Sequence, residues 1–169
     1  TGLYGSSSLR EVDPWSGQVI RSVALNDTIF SEGITVYNET IIMLTWKSET
    51  AYVFDIKNIT VVSSFSYQGE GWGICYDGEY LIMSNGTSSI SIRDPDSFNV
   101  LRVVTVTDEL GNRINKINEL ECISTAEGSR VLANIWQDDR IVLFDPSNGT
   151  LLGDFDASSI SEKNSNGIN

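Results

Sequence analysis

Short apolar runs alternate with polar residues along this chain, and each run breaks at turn-forming residues. Four breaks share one pattern: Asp13-Pro14-Trp15-Ser16-Gly17, Asp55-Ile56-Lys57-Asn58, Asp94-Pro95-Asp96-Ser97 and Asp145-Pro146-Ser147-Asn148-Gly149. Apolar residues stand at matching places after each Asp, first Val19, Val61, Val100 and Leu151, then Val23, Phe65, Val104 and Phe155. Asp, Asn, Pro and Gly favour turns, and the flanking Val, Ile, Phe and Thr favour strands. Each repeat therefore predicts a hairpin through its Asp turn.

A second hairpin precedes it in each repeat. Ile34 to Val36 turns at Asn38-Glu39 into Ile41 to Trp46. Gly73 to Tyr76 turns at Asp77-Gly78 into Tyr80 to Ser84, and Asp-Gly between strands is a strong hairpin signal. Leu120 to Ile123 turns near Glu127-Gly128 into Arg130 to Trp136. Two hairpins per unit of roughly forty residues is the pattern of four-stranded propeller blades. No helical stripe is evident, and Val106 to Lys116 reads as a longer polar connection.

The expected fold is all-β, a partial β-propeller of about three to four blades forming one domain over residues 1–169. The blades are expected near 29–67, 68–106 and 117–157, with a partial blade at 1–28 and the start of another at 166–169. The chain reads as a stretch of a longer protein, truncated at both ends.

The strand opening each unit carries a related signature: Glu32-Gly33-Ile34, Trp72-Gly73-Ile74, Asn118-Glu119-Leu120 and Asn166-Gly167-Ile168. The innermost strands of a propeller line its channel, so equivalent strand ends gather distant residues at one mouth. This makes Glu32, Trp72 and Asn118 one candidate site, with Trp46 and Trp136 at matching ends of second strands.

Composition narrows the chemistry. The chain has no histidine, which removes His-based triads, His-ligated zinc and imidazole proton shuttles. General acid–base work falls to Asp, Glu, Lys or Tyr. The net charge of −12 repels nucleic acid and anionic membranes, so neither is expected as a partner. No apolar run is long enough to span a membrane. The two cysteines, Cys75 and Cys122, fall on neighbouring inner strands. Two buried free thiols are expected there, with a disulfide as the alternative. Five sequons, at Asn26, Asn38, Asn58, Asn85 and Asn148, mostly fall in predicted turns and suit a secreted or periplasmic protein.

Several motifs resemble one family. Ser31-Glu32-Gly33-Ile34-Thr35, Leu44-Thr45-Trp46-Lys47, Gly69-Glu70-Gly71-Trp72-Gly73, Ile117-Asn118-Glu119-Leu120-Glu121 and Ala133-Asn134-Ile135-Trp136-Gln137-Asp138 occur in this order. Together with Thr1-Gly2-Leu3-Tyr4-Gly5 and Ser7-Ser8-Leu9-Arg10, they resemble the plant and bacterial glutaminyl-peptide cyclotransferases over the whole chain. The resemblance implies a five-bladed propeller that converts N-terminal glutamine to pyroglutamate and releases ammonia. It implies no metal or other cofactor, substrates with N-terminal glutamine, and a monomer when full length. By motif, Glu32 matches the catalytic glutamate. Trp46, Trp72 and Trp136 match pocket tryptophans, Asn118 a substrate-binding asparagine and Phe30 a pocket aromatic. The family's N-terminal Phe-Thr-Gln-Gly-Leu-like segment and its later pocket lysine have no match here. The alternatives from the residues themselves are a non-catalytic propeller that binds peptides or proteins, and a metal-dependent propeller hydrolase.

Overall fold

The computed structural model describes residues 2–161. Thr1 and the predicted strand start at Asn166-Gly167-Ile168-Asn169 lie outside the described residues. The chain forms two compact units, Thr1–Glu70 and Gly71–Asn169. Among the described residues the secondary structure is almost wholly β, with one short helix, α1 (Ser158–Ser161).

The first unit holds two sheets. β1 (Ser8–Val12) pairs with β2 (Val19–Ala24) across the Asp13 turn. β3 (Ser31–Tyr37), β4 (Thr40–Thr45), β5 (Thr50–Asp55) and β6 (Thr60–Ser66) form a four-stranded antiparallel sheet in sequence order. Leu9, Met43, Phe54 and Ile59 make a buried cluster that joins the two sheets.

The second unit repeats the four-stranded pattern twice. β7 (Ile74–Tyr76), β8 (Leu81–Met83), β9 (Ser89–Arg93) and β10 (Val100–Thr105) form one sheet. β11 (Ile117–Thr125), β12 (Gly128–Ile135), β13 (Arg140–Phe144) and β14 (Leu151–Asp156) form the other. Ile82, Ile90, Ile92, Val106, Ile117, Val131, Val142 and Phe144 share one core between these sheets. Sequential four-stranded meanders of this kind are the blades of a propeller.

The Asp turns are built alike. In each, the carboxylate accepts the backbone N–H two residues on, from Trp15, Lys57, Asp96 and Ser147. The residue four after the Asp donates its N–H back to the Asp carbonyl at 2.8–2.9 Å. That residue adopts a left-handed backbone at Gly17, Ile59, Phe98 and Gly149. A β-branched residue is rarely found there. Ile59 takes the conformation while buried in the core, so packing outweighs its backbone strain. The apolar positions after each Asp fall on outer strands, where Val19, Val61 and Val100 are exposed. What the sequence repeat marks there is turn geometry and strand register, not burial.

The thiol expectation is overturned, because Cys75 and Cys122 form a disulfide with Cα atoms 5.5 Å apart. Cys75 lies on β7 and Cys122 on β11. Relative to the signature at each strand start, Cys122 sits one repeat position later than Cys75. Successive strand residues point to opposite faces, so this offset turns one cysteine forward and the other back. The two sulfurs thus meet across the gap between adjacent sheets. Gly73, two residues before Cys75, faces the same way. A Cβ on Gly73 would lie 2.2 Å from the Asn118 carbonyl oxygen.

Candidate active site

A β-bulge opens the inner strand of each four-stranded sheet. Ser31 faces Thr45 and Ile34 faces Met43, so Glu32 and Gly33 together oppose Leu44. Ile117 faces Ile135 and Leu120 faces Ala133, so Asn118 and Glu119 together oppose Asn134. In the middle sheet Trp72 N–H donates to Ser84 O at 3.2 Å, and Ser84 N–H donates to Gly73 O at 2.9 Å. Trp72 and Gly73 therefore share Ser84. Glu32, Trp72 and Asn118 each take the first bulge position of their sheet. Bulges re-aim side chains and concentrate beside active sites. All three residues are half-buried, as pocket-lining groups are, and none belongs to a closed core.

In the first unit, Phe30, Glu32 and Trp46 lie at one end of the β3–β4 hairpin. Trp46 N–H donates to Phe30 O at 3.0 Å, and the two rings lie 5.3 Å apart with a 57° tilt. Tyr4 meets the other side of this group edge-on, 5.3 Å from the Phe30 ring. Trp46 Nε1 donates to Glu70 Oε2 at 2.7 Å, so this indole N–H is not a spare donor for a reacting carbonyl.

In the second unit, Trp72 and Trp136 pack edge to face with centroids 5.5 Å apart. Trp72 lies against Gly86, where a Cβ would come within 2.5 Å of its ring. Lys116 binds both sides of this pair through its backbone. Its N–H donates to Gly86 O at 3.1 Å and its carbonyl accepts Trp136 N–H at 2.9 Å. Its ammonium stands 5.8 Å from the centre of the Trp136 ring. Ser84 Oγ accepts Gly73 N–H and donates to Asn118 O, both at 2.7 Å, which ties the two bulges together. Trp15, by contrast, is 95% exposed on the β1–β2 turn.

Glu119 is the residue that sequence reading undervalued. It fills the second bulge position, where the sister sheets carry Gly33 and Gly73. Its N–H is held by Asn134 Oδ1 at 3.0 Å. Burial pushes its carboxyl up to about 7, the Leu120 N–H opposes the shift, and the charge of Glu121 adds to it. The residue as a whole is exposed, so desolvation acts on its carboxyl without enclosing it. A carboxyl raised towards neutrality exchanges its proton in the physiological range. The visible signal was a glutamate in a place that is glycine in two sister repeats. Among the described residues, no three His, Cys, Asp or Glu side chains gather as a metal site.

The profile of the glutamine cyclotransferase family matches residues 1–169. The chain belongs to this family. The chain is 36% identical over 154 residues to a glutaminyl-peptide cyclotransferase of Arabidopsis thaliana. That alignment covers 90% of this chain and 47% of the relative, so the chain spans about half of the curated relative's length. Its structure matches the crystal structure of Myxococcus xanthus glutaminyl cyclase with a TM-score of 0.85 at 30% identity, over 96% of this chain and 67% of that one. It also matches the Neurospora crassa Pan2 WD40 domain with a TM-score of 0.59 at 16% identity, over 88% of this chain and 46% of that one. That second likeness concerns fold alone. The fold class is an all-β partial propeller. No helix among the described residues is long and apolar enough to cross a membrane.

Proposed function

We propose that the protein carrying this chain is a glutaminyl-peptide cyclotransferase that acts on peptides and proteins with N-terminal glutamine. The observation that carries this reading is Glu32 at the bulged start of β3, in a chain that the glutamine cyclotransferase profile matches throughout. The substrate's α-amine attacks its own side-chain amide carbon, so folding the glutamine back supplies most of the proximity. A C–N bond forms to close the five-membered ring, and the bond to the amide nitrogen breaks. That nitrogen leaves as ammonia.

Glu32 takes the proton that the attacking amine loses and returns it to the leaving nitrogen. The amine titrates near 7.7–8.0 when unperturbed, so a nearby carboxylate collects this proton at modest cost. Asn118 offers its side-chain NH₂ to the amide oxygen as charge builds there. Trp72, Trp136, Trp46 and Phe30 wall the aliphatic part of the glutamine and exclude water. No step requires a metal ion.

We also propose that the protein is secreted or periplasmic and acts as a monomer, without nucleic acid or membrane as partner. The Cys75–Cys122 disulfide supports an oxidising compartment, as do the five exposed sequon asparagines. The test of the activity is ammonia release from a Gln-initiated peptide by the full-length protein, with and without chelator. Release unaffected by chelator is expected. No release would leave a peptide-binding propeller, and chelator-sensitive release would require a metal enzyme.

A further inference from the structure

We infer that Glu70 is a positioning residue for the pocket, holding Trp46 by its indole N–H and setting it as a wall. This rests on the cyclotransferase reading of Trp46 given above. Glu70 lies 24 residues beyond Trp46 in sequence, yet its Oε2 accepts Trp46 Nε1–H at 2.7 Å. A carboxylate acceptor makes this a charge-assisted bond, stronger and more directional than a neutral one.

The segment that carries Glu70 is itself pinned. The Tyr67 hydroxyl donates to Thr45 O and accepts Thr45 N–H, the latter at 3.1 Å. Tyr67 N–H donates to Glu49 O at 3.0 Å. Gly69 N–H donates to Glu49 Oε1 at 2.8 Å. Glu49 adopts a left-handed backbone with φ of 50°, which turns the chain after Trp46 so that both of its acceptors reach residues 67–69. Residues 45–49 and 67–70 are thus laced together, and Glu70 arrives at the indole edge already oriented.

The other carboxylate oxygen is also engaged. Lys47 Nζ lies 3.7 Å from Glu70 Oε1 and 3.9 Å from the centre of the Trp46 ring. The carboxylate and the indole face together hold the ammonium. Trp46 is therefore fixed at its N–H edge by Glu70, with Lys47 over its ring and Phe30 against it at 5.3 Å. Only its remaining surface is open to a substrate. The indole contributes shape and apolar area, and it has no hydrogen to give a reacting oxygen.

The experiment is a double-mutant cycle in the full-length protein, with Glu70→Ala, Glu70→Gln, Trp46→Phe and the combination Trp46→Phe with Glu70→Ala. Glu70→Ala is expected to raise KM for a Gln-initiated peptide about tenfold with kcat little changed, the size of one lost hydrogen bond. Glu70→Gln keeps an acceptor and is expected to restore KM to within about threefold. In the Trp46→Phe background, Glu70→Ala is expected to add under about twofold. An unchanged KM, or an equal rise in both backgrounds, overturns the inference. Indole fluorescence separates this outcome from failure of the cyclotransferase reading. Glu70→Ala must shift the emission of the Trp46-containing protein and leave that of the Trp46→Phe protein unmoved, whether or not ammonia is released. Absence of that difference overturns the positioning role by itself.

Discussion

Cys75 and Cys122 bond because they stand one repeat position apart on adjacent inner strands. Residues at the same repeat position point the same way around a propeller and do not meet. The offset turns their side chains towards each other, just beyond the bulges that carry Trp72 and Asn118. The bridge closes a sequence separation of 47 residues. Chain entropy values such a loop at about 4 kcal/mol, and measured bridges commonly deliver 2–4 kcal/mol. Replacing both cysteines by serine is expected to lower the unfolding free energy by about that amount. Urea unfolding of the oxidised protein against the double variant checks this. Equal midpoints would show that the bridge adds nothing to the fold.

Glu119 predicts a pH dependence of stability. Its folded-state carboxyl is raised to about 7 from an ordinary value of 4.5, chiefly by burial. The folded state therefore holds this proton more tightly than the unfolded chain does. The stabilisation is fully present below the unfolded value and is lost as pH rises towards 7. Glu119→Gln mimics the protonated form and is expected to flatten this decline between about pH 4.5 and 7. Urea unfolding at several pH values compares the two proteins. Parallel curves over that range would contradict the assignment.

Gly86 holds room for Trp72. Its φ is +78°, and an added Cβ would lie 2.5 Å from the Trp72 ring. Gly86→Ala therefore strains the backbone and displaces the indole from its edge-to-face contact with Trp136. A stability loss on the order of 1–3 kcal/mol is expected. In the full-length protein, KM for a Gln-initiated peptide should rise severalfold while kcat changes less. Thermal unfolding and steady-state kinetics read the two effects. Unchanged KM would separate Trp72 from substrate binding.

Much of the fold was legible because its cues are local. The Asp turns encode themselves through carboxylate-to-N–H bonds within a few residues, and Asp77-Gly78 announces its own hairpin. The strand-start signature of Glu32, Trp72 and Asn118 was visible as a repeat, but the bulge beneath it was not. A bulge depends on cross-strand register, as when Glu32 and Gly33 share Leu44. The disulfide escaped for a related reason, since one step of register decides which face Cys122 takes. The partner of the Trp46 indole was hidden because Glu70 comes from a separate segment, placed by Tyr67 and Glu49.

The central claim is that Glu32 carries the proton from the attacking amine to the departing ammonia. The most direct measurement is turnover of a Gln-initiated peptide by full-length Glu32→Gln, followed as ammonia release, with urea unfolding as the control for folding. Loss of at least about a hundredfold in kcat at an unchanged unfolding midpoint is the predicted result. Turnover within about threefold of the unsubstituted protein, with folding intact, would contradict it.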